Sequence, residues 1–129
     1  MKRLMMGLML LLVAGAASAE WSIAGENDES VSYADRATIH RSGNFVKMWN
    51  LRDFKTVRES SAGMSYSSVK GQDEYDCKGK KDRGLAVTLY SRRMGNGKVV
   101  ALNFDAGEWR PVVVGSAGEA VWEIACGKK

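Results

Sequence analysis

Along the middle of the chain, hydrophobic and polar residues alternate with a period of two. The clearest run sets Leu85, Val87 and Leu89 on one side against Thr88, Tyr90 and Arg92 on the other, the signature of a half-buried β-strand. Gly95-Asn96-Gly97 follows, and then Val100, Leu102 and Phe104 alternate with Val99, Ala101 and Asn103. Two strands meeting at an Asn-Gly pair predict a hairpin with a type I′ turn, whose central residues both need positive φ. Upstream, Phe45 to Phe54 is rich in β-branched and aromatic residues. Its apolar phase shifts between Val46/Met48 and Trp49/Leu51, which a bulge, or cover on both faces, would explain. Ser65 to Cys77 also reads as extended, with Tyr66, Val69, Tyr75 and Cys77 spaced for strand faces and Gly71 marking an irregularity. Shorter strands are expected over Trp21–Ala24 and Ser30–Tyr33, on either side of the polar turn Glu26-Asn27-Asp28-Glu29.

The period changes near the C-terminus. Ser116 followed three residues later by Glu119 fits a capping box, in which hydroxyl and carboxylate satisfy the free amides of a first helical turn. Ala117, Ala120/Val121 and Ile124/Ala125 then recur at helical spacing, and Gly127 stands where a C-cap glycine is expected, so a helix is predicted over Ala117–Cys126. The lone Pro111, after Trp109-Arg110, marks a sheet edge or the approach to the loop before the helix. Strands followed by one helix describe an α+β domain: an antiparallel sheet of about six strands with a C-terminal helix.

The first nineteen residues follow neither pattern. Met1-Lys2-Arg3 is a short positive start, Leu4 to Val13 is nearly uninterrupted Leu and Met, and Ala17-Ser18-Ala19 puts small residues where a signal peptidase reads. This predicts a secretory leader cleaved between Ala19 and Glu20 rather than a membrane anchor, because about ten apolar residues fall short of the roughly 20 a spanning helix needs. No Cys lies near the cleavage point, which argues against lipid attachment. The expected product is one domain over residues 20–129, periplasmic or at the cell surface, with no transmembrane segment.

Cleavage changes the composition. The full chain has 129 residues and a formal charge of +4; loss of Lys2 and Arg3 leaves +2, and four of the seven Met leave as well. So modest a charge, in an exported protein, makes nucleic acid a poor partner. Cys77 and Cys126 both survive and enter a compartment where disulfides persist, which predicts a Cys77–Cys126 bridge. Two isolated Cys and one distant His lack the close-spaced ligand pairs of a zinc site, so no metal or other cofactor is expected.

Catalytic patterns do not emerge. His40, the only imidazole, reads as a solvated loop residue before a Ser-Gly-Asn turn. The acidic pairs Asp28/Glu29 and Asp73/Glu74 read as turns or exposed strand edges, and there is no GxSxG, HExxH, phosphate-binding loop or EF-hand series. Trp21, Trp49, Trp109 and Trp122 are expected in the core, since few other large side chains are available to fill it. Two basic clusters remain: Lys78, Lys80, Lys81 and Arg83 after Cys77, and Arg92, Arg93 and Lys98 around the hairpin turn. Adjoining in space, they would form a positive patch suited to an acidic protein segment or an anionic glycan.

Several short segments, in order, resemble the surface-adhesin protein E-like family of small exported bacterial proteins. They are Glu20-Trp21, Tyr33-Ala34-Asp35 with Ala37-Thr38-Ile39, Trp49-Asn50-Leu51-Arg52-Asp53, Glu74-Tyr75-Asp76-Cys77, Met94-Gly95-Asn96-Gly97, Glu108-Trp109-Arg110-Pro111 and the end from Gly115 to Cys126. The resemblance implies an antiparallel sheet with a disulfide-tied C-terminal helix, and a non-catalytic adhesin that binds host extracellular-matrix or serum proteins such as vitronectin and laminin. Tyr75-Asp76-Cys77 is also similar to a Tyr-x-Cys strand of exported lysozyme inhibitors, a second reading; a periplasmic envelope component is a third.

Overall fold

The computed structural model describes residues 19–127, so the leader lies outside the described residues except for Ala19. In chain order the elements are β1 (Ser22–Glu26), β2 (Ser30–Ser42), β3 (Phe45–Glu59), β4 (Ser65–Asp76), β5 (Lys81–Tyr90), a 3₁₀ turn (Arg93–Gly95), β6 (Val99–Asn103), β7 (Arg110–Pro111) and α1 (Ala117–Cys126). The strands form one antiparallel meander in the order β1 to β6, and β7 pairs with the first residues of β5. The α+β class and the sheet-plus-helix architecture agree with the sequence pattern.

Helix α1 lies on one face of the sheet. Its Val121, Trp122 and Ala125 meet Ala34 of β2, Val46 and Met48 of β3 and Tyr75 of β4 in the hydrophobic core. Both ends of the helix form as expected. Ser116 Oγ accepts from Glu119 N–H at 3.1 Å, Glu119 Oε1 accepts from Gly115 N–H at 3.1 Å, and Gly127 takes the left-handed conformation at φ 64°. The Cys77–Cys126 disulfide joins the last helical residue to the end of β4, with Cα atoms 5.5 Å apart. Beside it, Trp122 Nε1 donates to the Asp76 carbonyl at 3.1 Å.

The phase shift in β3 comes from cover on both faces. Pairing with β4 runs unbroken from Phe45↔Asp76 to Asp53↔Ser68, so β3 carries no bulge there. Val46 and Met48 face α1, whereas Leu51 and Asp53 lie buried on the other face beneath the 3₁₀ turn. The irregularity falls in the neighbour β2, whose residues between Asp35 and His40 bulge out. Thr38 Oγ1 fills the gap by accepting from Trp49 N–H at 2.9 Å.

Three local expectations need correction. The β5–β6 connection is not a two-residue type I′ turn: Tyr90 pairs with Val99, and Asn96 is extended at φ −102°. The chain instead loops through the 3₁₀ turn, with Met94, Gly95 and Gly97 at positive φ, because buried Asp53 and Ser68 pin it to the sheet. Met94 N–H donates to Asp53 Oδ1 at 2.8 Å, Gly95 N–H donates to Ser68 Oγ at 2.9 Å, and Ser68 Oγ donates to the Arg92 carbonyl at 2.6 Å. Next, Gly71 is regularly paired; a Cβ there would meet the Ala86 carbonyl oxygen at 3.2 Å and Asn50 Oδ1 at 3.3 Å. The bulge lies one residue further on, with Leu85 of β5 as the extra residue. Lastly, only Trp122 belongs to the core. Trp21, Trp49 and Trp109 are half-buried, because smaller side chains fill the single apolar layer under α1.

Candidate functional site

The two basic clusters do not adjoin. Lys78, Lys80, Lys81 and Arg83 sit at the β4–β5 turn, whereas Arg92, Arg93 and Lys98 sit in the β5–β6 connection. From Arg83, the third residue of β5, to Tyr90 at its end the strand runs about 23 Å, which sets the two clusters toward opposite ends of it. A single positive patch built from both is therefore not what the fold presents.

At the first end, the fold uses much of the charge. Lys80 Nζ pairs with Glu119 at 2.8 Å and lies 5.5 Å from the centre of the Trp122 ring, closing the turn over the helix. Arg83 donates twice to Glu74 Oε1, at 2.9 and 2.7 Å, and covers the Trp109 ring at 4.8 Å. Lys78 and Lys81 remain exposed, near Asp76 and Asp82. At the second end, Arg93 pairs with the buried Asp53 carboxylate at 2.7 Å and so anchors the 3₁₀ turn. Arg92 and Lys98 are exposed and make no ion pair among the described residues. This end has the less compensated positive charge.

Under the N-terminus of α1 lies a polar cluster that the sequence reading placed wrongly. Asp73, expected with Glu74 in a turn or at an exposed strand edge, instead stands on the α1 face of β4, two residues from Tyr75. With Asn50, Asp82 and Arg110 these two residues line a cavity of about 190 Å³. Burial, and then the Asp82 charge, push the Asp73 carboxyl up to about 6, while Arg110 opposes the shift. Burial also raises Asp82, again against Arg110, and raises the Tyr75 hydroxyl well above its usual value. Asn50 Nδ2 donates to Tyr75 Oη at 3.0 Å. The period-two row Gly71, Asp73, Tyr75 was the signal that Asp73 points inward.

In this arrangement the raised Asp73 carboxyl is the group able to exchange a proton near neutral pH. The cluster holds two carboxylates and a guanidinium but no imidazole, thiol or activated hydroxyl; His40 stands exposed in β2 opposite Lys47 rather than in a loop. Among the described residues no group of three His, Cys, Asp or Glu side chains could hold a metal. A separate groove of about 500 Å³ opens at the β2 bulge, lined by Trp21, Asp35, Trp49 and Lys70, with Lys70 Nζ 5.2 Å from the Trp49 ring centre.

The geometry defines a class: a small antiparallel meander with one covering helix stapled to the sheet by a disulfide. The family model for surface-adhesin protein E matches residues 21–127, and the chain belongs to that family. It is thereby an adhesin-like surface protein, in a family whose members point away from catalysis. Solved structures agree on the fold. Protein E from non-typeable Haemophilus influenzae superposes with a TM-score of 0.59 at 11% identity, covering 88% of this chain and 79% of that one. A selenomethionine form of Haemophilus influenzae protein E superposes at 0.57 with 10% identity, covering 86% and 96%. Among curated proteins, nothing matches. No helix among the described residues is long and apolar enough to cross a membrane.

Proposed function

We propose that the protein is an exported, non-catalytic adhesin that binds host extracellular-matrix or serum proteins, docking through exposed cations on acidic stretches of those ligands. The observation that carries this reading is the division of the seven basic residues. Lys80, Arg83 and Arg93 are engaged by the fold, whereas Lys78, Lys81, Arg92 and Lys98 are exposed at the two ends of β5. Cations held exposed without a counter-ion attract acidic surfaces at long range, and salt weakens that attraction. Arg92 and Lys98, with the weaker local compensation, are the primary docking residues, and Lys78 and Lys81 form the second contact.

The test is surface binding of the exported protein to immobilised vitronectin, laminin and heparin. Binding to at least one is expected at low salt, declining steeply between 50 and 300 mM salt over about the range where the Debye length halves. Arg92→Glu should weaken it more than Lys78→Glu. Absence of binding to all three at low salt would overturn the reading.

A further inference from the structure

The bulge in β2 leaves a groove on the sheet face opposite α1, and the strand register explains what lines it. Asp35 pairs directly with Trp49 of β3, and Trp21, one residue before the Ser22↔Ala34 pair, comes alongside it from the start of β1. A carboxylate thus stands between two half-buried Trp, in a groove of about 500 Å³ that Thr38 and Lys70 also line. Neighbouring strands lie about 4.8 Å apart, so the two Trp stems are about 10 Å apart. A group held over Asp35 is then within reach of both rings, since a ring face attracts a cation out to about 6 Å.

Two opposite charges at this groove lack ion-pair partners. Asp35 is only 6% exposed, yet it makes no ion pair among the described residues. Its Oδ1 accepts from Ala37 N–H at 3.2 Å, while Oδ2 has no hydrogen-bond partner among the described residues and opens to the groove. Lys70 likewise has no carboxylate partner there, and its Nζ lies 5.2 Å from the Trp49 ring centre. The two do not pair with each other. A buried charge without a counter-charge is costly, and a ligand carrying both signs compensates both groups. The neighbours decide which cation fits. Thr38 Oγ1 is committed, accepting from Trp49 N–H at 2.9 Å and donating to the Asp35 carbonyl at 2.7 Å. A primary ammonium would bring three N–H donors to the single open oxygen of Asp35. A quaternary ammonium brings none, and its methyl groups suit two Trp faces. Lys70, a compact point charge, suits a phosphate.

We propose that this groove binds a phosphocholine group, its trimethylammonium over Asp35 between Trp21 and Trp49 and its phosphate at Lys70. Phosphocholine is carried by lipid headgroups and by soluble or polymeric molecules, and the groove reads the part they share. None of its residues is among the seven cations near the ends of β5, so phosphocholine binding and matrix binding stand or fall independently.

Calorimetric titration of the exported protein with phosphocholine, choline and inorganic phosphate tests it. Phosphocholine should bind saturably with a Kd of about 1 mM or tighter, choline about tenfold more weakly, and phosphate alone without measurable heat. Asp35→Asn keeps the acceptor for Ala37 N–H and removes the charge; it should weaken phosphocholine and choline about tenfold each. Lys70→Gln should weaken phosphocholine about tenfold and leave choline unweakened, and it keeps the proposal testable if Asp35→Asn fails to fold. Co-sedimentation with phosphatidylcholine vesicles, but not with phosphatidylglycerol vesicles, would place the group on a lipid. Binding of free phosphocholine without co-sedimentation would place it on a soluble or polymeric carrier, and either result supports the proposal. No binding at about 10 mM phosphocholine would overturn it. So would a Lys70→Gln protein that loses choline as much as phosphocholine, or tighter binding of glycine betaine, whose two charges stand closer together.

Discussion

Asp73 makes the most quantitative prediction. Its carboxyl is raised from an ordinary 3.8 to about 6, first by burial between the sheet and α1 and then by Asp82. A carboxyl with a raised folded-state value binds its proton more tightly in the folded than in the unfolded protein. Stability therefore increases as pH falls through 6 and levels off below 3.8; equivalently, ionisation of Asp73 destabilises the fold at neutral pH. The full shift corresponds to about 3 kcal/mol, of which about 1.3 kcal/mol is recovered between pH 7 and pH 5. The perturbation is Asp73→Asn, which keeps the shape and removes the titration. Urea unfolding of both proteins at pH 5 and pH 7 gives four stabilities. The wild-type gain on acidification should exceed that of Asp73→Asn by about 1.3 kcal/mol, since groups titrating elsewhere contribute equally to both. Equal pH dependence in the two proteins, or a wild-type protein less stable at pH 5 by comparison with the variant, would refute the account of this cluster.

Other outcomes follow from the same contacts. Reducing the Cys77–Cys126 bridge, which closes a separation of 49 residues, should lower stability by about 4 kcal/mol in chemical denaturation. Arg93→Ala leaves the Asp53 carboxylate buried without its ion pair and should cost about 2 kcal/mol, whereas the exposed Arg92→Ala should be near neutral in the same assay. Ser116→Ala removes the N-cap acceptor of Glu119 N–H and should cost about 1 kcal/mol.

Much of the fold was legible because local and tertiary signals agreed. The capping box at Ser116 and Glu119, the αL glycine at 127 and the two cysteines each have one dominant physical outcome, and all three formed as expected. The meander followed from period-two runs linked by short polar turns, such as the one where Asn27 Oδ1 accepts from Glu29 N–H and Ser30 N–H. What failed was decided by partners distant in sequence. Gly95-Asn96-Gly97 has ideal hairpin chemistry, yet Asp53 and Ser68, 41 and 27 residues away from the amides they hold, draw the loop into a 3₁₀ turn. Similarly, Arg93 and Lys80 look like free surface cations until Asp53 and Glu119 are brought beside them. Of the candidate site, the sequence therefore revealed the charges but not which of them the fold consumes, nor that β5 separates them.

The central claim, that this is an adhesin acting at the cell surface, is tested most directly by attachment of intact native cells to laminin- or vitronectin-coated surfaces. Three strains are compared: unmodified, lacking this protein, and carrying Arg92→Glu at normal abundance. The account predicts that attachment to at least one coating falls when the protein is absent and falls partway with Arg92→Glu. Attachment unchanged in the strain that lacks the protein, on both coatings, would contradict it.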